Sequence, residues 1–130
     1  MNKEIKNWMA TANYDLVTAG QMFKTGRHVY VVFMCHLAIE KTLKAIVSAE
    51  TKKIPPKTHD LIYLLNFGKI NLPANLLDFI GMINNASIVT RYPEDLSKLI
   101  SSYPKTVAGK YLTATQEIIR CLRRDRRLKK

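Results

Sequence analysis

Cysteine, glycine and acidic residues are all scarce in this chain, and each shortage excludes something. The two cysteines, Cys35 and Cys121, are too few for a secreted disulfide framework, and neither stands at a metal spacing from the other or from His28, His36 or His59. No metal ion and no cofactor is expected, and both thiols are read as buried or half-buried. No glycine-rich phosphate loop, nucleophile elbow or paired-carboxylate motif occurs. Long apolar runs are missing too: Val29 to Cys35 is stopped by His36, well short of the ~20 residues that a membrane span needs. The N-terminal Met-Asn-Lys-Glu-Ile-Lys alternates charge and has no signal-peptide core, so a cytoplasmic location away from any membrane is expected. Acidic residues number 10 against 21 lysines and arginines, a net charge of +11 that favours a polyanion or an acidic protein as partner. The excess is uneven: from Arg120 onward seven cations face one carboxylate, a net +6.

What is present is helical periodicity. Residues 1–130 fit one domain with a basic C-terminal helix end at about residues 120–130, long enough to bury roughly two-thirds of the unfolded chain's surface. Ile5, Trp8, Met9, Ala12, Leu16, Ala19 and Phe23 recur at three- and four-residue steps and predict a first helix over Lys3 to Lys24, closed by Thr25-Gly26. A second helix is predicted from Arg27 to Ala49; its Val29, Val31 and Val32 lack the alternation of a strand and lead into strong helix formers. Pro55-Pro56 breaks the pattern. Thr58 is the expected N-cap of a short helix from His59 to Phe67, with Asp60 in its first turn. Pro73 opens a fourth helix that ends at Arg91-Tyr92-Pro93, Asp95 to Ile100 suits a turn or two, and the last helix starts at Ser102-Tyr103-Pro104. Neither repeats nor strands are found. The expected fold is an all-α, antiparallel up-and-down bundle of four long helices plus one short one.

Within the second helix, His36, Glu40 and Lys44 form one row at intervals of four. Two explanations stay open. In one, the row is an internal pairing network in which Glu40 accepts from His36, Lys41 or Lys44; in the other, Lys41 and Lys44 face an anion. Asp60 is read as a helix-start residue, and His59 as orienting Glu40 or touching a ligand. At Arg91-Tyr92, the arginine either pairs with a carboxylate such as Glu40 or grips a phosphate with its two-pronged guanidinium. The apolar surplus of residues 29 to 39 exceeds what one core readily uses and suggests a dimer.

Four segments in order resemble the HEPN (higher eukaryotes and prokaryotes nucleotide-binding) domain family. They are Trp8, Ala12, Tyr14-Asp15-Leu16 and Ala19; Gly26, Tyr30 and Leu37 to Ala45; Thr58-His59-Asp60-Leu61 with Leu64-Leu65; and Arg91-Tyr92-Pro93. The resemblance implies a helical bundle, usually a homodimer, often encoded beside a minimal nucleotidyltransferase in a two-component module, many such modules being toxin–antitoxin systems. With it, a nucleotide or RNA phosphate is expected to meet Arg91, Lys41, Lys44 and His59, while Glu40, Asp60 and Tyr92 serve structural pairing. Family members that are ribonucleases carry an arginine followed a few residues on by a histidine in the last helix. This chain departs from that pattern, because no histidine follows Arg91. A metal-independent ribonuclease toxin here would need a noncanonical site built on His36 or His59, and a pure protein-interaction module is the third reading.

Overall fold

A computed structural model describes residues 2–129. Six α-helices follow one another: α1 (Lys3–Lys24), α2 (His28–Thr51), α3 (Leu61–Phe67), α4 (Ala74–Arg91), α5 (Leu96–Ser102) and α6 (Lys105–Leu122), with a 3-10 turn at Arg126–Lys129. Among the described residues there is no strand, and no helix is long and apolar enough to cross a membrane. The all-α bundle expected from periodicity is the fold found, with four long helices and two short ones instead of one.

The first helix has its predicted bounds. The Asn2 side chain caps it by accepting from the Ile5 amide, and Gly26 closes it at φ 77°, where a side chain would be strained. α2 is the axis of the molecule, packed by α1, α3, α4 and α6. This explains its apolar run: Val31, Val32, Cys35, Ala38 and Ile39 are fully buried, so the helix is apolar almost all round because it is covered almost all round. Much of the surplus of residues 29 to 39 is therefore core, while Tyr30 stays exposed and Phe33, Met34 and Leu37 are half-buried. Burial also pushes the Cys35 thiol up to about 12, which keeps it protonated and inert.

The α3 cap differs from the expectation by two residues. Asp60, not Thr58, is the N-cap, its carboxylate accepting from the Ile62 and Tyr63 amides, while Thr58 Oγ1 accepts from the Asp60 amide. Thr58 and Asp60 are both capping residue types, and the choice is made from outside, because Asn84 of α4 reaches across. Its Nδ2 donates to Asp60 Oδ1 and its Oδ1 accepts from the Leu61 amide. α4 stays regular through Asn84-Asn85 and ends as expected at Arg91, with Tyr92 as its C-cap.

The C-terminal turn is stitched down by Arg127. Its guanidinium donates to Asp125 at 2.8 Å, to Glu50 at the end of α2 at 3.2 Å, and to the carbonyls of Gly68 and Lys69 after α3. Leu128 is buried beneath it. The basic tail is thus part staple and part exposed surface.

Candidate functional site

The polar row of α2 folds into a hub around Glu40, which is only 3% exposed. Its Oε1 accepts from His59 Nδ1 at 2.8 Å, and its Oε2 accepts from Lys44 Nζ at 3.1 Å. The row spacing supplies Lys44 along the same helix face, and the arm from Pro55 to Asp60 returns His59 across the top. Lys44 is itself covered by Trp8, 5.7 Å from the ring centroid. A buried carboxylate persists only when cations and hydrogen bonds replace its water, and these two partners supply both.

His36 is the odd member. It is fully buried, its Nδ1 lies 3.9 Å from Glu40 Oε1, and neither ring nitrogen has a hydrogen-bond partner. Burial holds its pKa below the ordinary histidine value, the Glu40 charge opposing this and Arg91 reinforcing it. The buried imidazole thus feels both charges, with Glu40 favouring its proton and Arg91 disfavouring it.

Arg91, in the last turn of α4, has its guanidinium 5.0 Å from the Phe33 ring centroid. Its Nη2 is enclosed without an acceptor, and the residue forms no ion pair among the described residues. It borders a cleft of about 250 Å³ between the start of α2 and α5, which Arg27, His28, Tyr30, Leu96 and Tyr103 also line. Such a cleft offers an apolar wall and three basic side chains, Arg27, His28 and Arg91, the last without an ion pair among the described residues. A planar or phosphorylated anion fits that chemistry.

The four residues expected to meet phosphate do not form one cluster. Lys41 turns to α1, where Asp15 holds its ammonium at 2.6 Å. Lys44 and His59 are engaged with Glu40, although the His59 side chain remains 63% exposed. Of the four, Arg91 alone forms no ion pair among the described residues, and it does not pair with Glu40. Asp60 is the α3 cap, while the Tyr92 side chain stands out in solvent with no hydrogen bond. Two contributors were missed in the sequence, the Asn84 clamp and the Arg27-His28 pair beside Arg91. A signal existed for the first: Asn84 and Arg91 stand two helical turns apart on one face of α4. Among the described residues no three of His, Cys, Asp or Glu are grouped to hold a metal ion.

The model of the HEPN domain family matches residues 5–125. The chain belongs to the HEPN family. Among solved structures, TT1696 from Thermus thermophilus is similar at 20% identity and a TM-score of 0.79, covering 94% of this chain and 98% of its own. ST0689, an archaeal HEPN homologue, is similar at 21% identity and a TM-score of 0.74, covering 94% of this chain and 97% of its own. At such identities the likeness is one of fold. No curated protein is matched.

Proposed function

We propose that this HEPN domain binds a phosphate-bearing ligand, a nucleotide or RNA, at Arg91 and acts as the partner of a minimal nucleotidyltransferase in a two-component module of the toxin–antitoxin kind. The observation that carries the binding reading is that Arg91 lines an open cleft and forms no ion pair among the described residues. A guanidinium without a carboxylate partner is matched by a phosphate, whose oxygens accept from the donors on the cleft side. His59 is the second contact through its exposed ring edge, and Lys41 and Lys44 act by their field, since a carboxylate holds each one. The pairing with a nucleotidyltransferase, and a homodimer of this chain, rest on family membership.

Titration with adenosine and guanosine nucleotides at low salt tests the site. Arg91→Ala should weaken binding about ten-fold or more, the loss of one charged hydrogen-bonding group, and Arg91→Lys should restore it only in part. Equal affinity in wild type and Arg91→Ala would remove the assignment. One observation favours keeping ribonuclease activity as the second reading: His28 lines the same cleft as Arg91, whereas His36 is sealed from any substrate. RNA cleavage that survives EDTA and is lost in His28→Ala would decide for the enzyme.

A further inference from the structure

A second basic surface lies at the other end of α2. Arg127 touches Glu50, Gly68, Lys69 and Asp125, so the ends of α2 and α3 and the C-terminal turn meet within the reach of one guanidinium. Exposed around that junction are Lys52, Lys69, Arg123, Arg124, Arg126 and Lys129, none in an ion pair among the described residues. Glu50 and Asp125 are both taken by Arg127, and Glu4, which lines a pocket with Lys52, forms no ion pair among the described residues, so cations outnumber free carboxylates at this end. Phe33, under Arg91, and Glu50, held by Arg127, are 17 residues apart on α2, which places the two regions about 25 Å apart along the axis.

Complementing helix dipoles accounts for a cation or two at helix C-termini. It does not account for how Lys52 and Lys69 are held. At φ 58° and φ 51° they are the only non-glycine residues with positive φ among those described, and both follow the C-terminus of a helix at this end. Glycine adopts that conformation without the steric cost of a side chain, yet lysine stands at both positions. On α3, just before Lys69, Tyr63 and Phe67 stack at 5.8 Å with an interplanar angle of 24°, 48% and 45% exposed, and Phe67 immediately precedes the Gly68 carbonyl that Arg127 holds. Cations without counter-ions follow a phosphate backbone, and exposed aromatic faces next to them stack on unpaired bases. We infer that this end of the bundle, separate from the Arg91 cleft, is a docking surface for single-stranded nucleic acid, with phosphates along the lysine and arginine cluster and bases on Tyr63 and Phe67.

Fluorescence anisotropy of a short labelled oligouridylate, against the matching duplex and across a salt series, tests this. The wild type should prefer the single strand, with affinity falling log-linearly in salt. Lys52→Gly/Lys69→Gly removes two charges while relieving both left-handed residues, so it should bind more weakly, about ten-fold at low salt, with a shallower salt slope and an undiminished melting temperature. Tyr63→Ala/Phe67→Ala should lose the preference for the single strand at an unchanged salt slope. Lys52→Gly/Lys69→Gly should bind a mononucleotide in the Arg91 titration as wild type does, which keeps this result separate from that of the nucleotide site. No binding at low salt, wild-type binding by the double glycine variant, or indifference to the aromatic pair would each overturn the inference; the last would leave a surface for acidic protein.

Discussion

His36 shows at the scale of one residue how the hub constrains the chemistry. A histidine enclosed without a hydrogen-bond partner is costly to protonate, and the groups facing it, Glu40, Arg91 and the His59 segment, do not reverse that. The unfolded chain takes a proton on this residue near 6.5, whereas the folded chain refuses it until lower pH. Stability from this source is therefore complete above about pH 6.5 and drains away as pH falls below it toward the depressed folded value. Replacement by an apolar ring of similar size, His36→Phe, should remove that acid loss. Urea midpoints should show the variant gaining on the wild type between about pH 7.5 and pH 5, and a constant difference would show that His36 does not titrate on unfolding. The row containing His36 was legible from four-residue spacing, and so was His59 as a partner of Glu40. That Arg91 would leave Glu40 alone was not legible, because a choice between acceptors across a bundle depends on helix rotation, which spacing does not encode.

Among the helices and their joints, Gly68 separates crowding from backbone strain. Its φ of −85° is open to any residue, so conformation does not demand glycine there. A Cβ would instead lie 2.9 Å from Val47 Cγ2 and 3.0 Å from Ile70 Cδ1, both on buried side chains, under the carbonyl that anchors Arg127. Gly68→Ala should cost about 1–3 kcal/mol, the usual range for overpacking. Gly20→Ala is the opposite case: it lies inside α1 with nothing within 4 Å of the added Cβ and should gain roughly 0.5–1 kcal/mol. Chemical denaturation of the two variants checks the opposed signs, and a gain in both would mean that Val47 and Ile70 give way freely. Long helices were the legible elements because their stripes repeat many times; α1 was placed to the residue. The α3 start was misplaced because Thr58 and Asp60 cap equally well in isolation, and only Asn84 of a distant helix settles the matter.

For the molecule as a whole, apolar surface is left over in more than one place. Four helices cover most of the second helix, a number of neighbours that a sequence does not encode, while its Tyr30 stays exposed. One run of uncovered apolar side chains lies at the end of α4 and along α5: Ile88, Val89, Tyr92, Leu96 and Ile100 are all exposed, and no residue of α5 is buried. This face borders the Arg91 cleft, to which Leu96 and Ile100 also contribute. A homodimer formed there would cover the patch and narrow the cleft mouth, tying assembly to ligand binding. Light scattering at micromolar concentration should give twice the monomer mass for wild type and the monomer mass for Ile88→Asp/Leu96→Asp, with helical circular dichroism unchanged because both side chains face solvent in the single chain. The nucleotide titration should weaken in that variant if the second copy shapes the cleft. A dimer that persists in the double variant would move the interface off α4 and α5, and a monomeric wild type would leave the apolar face to the partner protein.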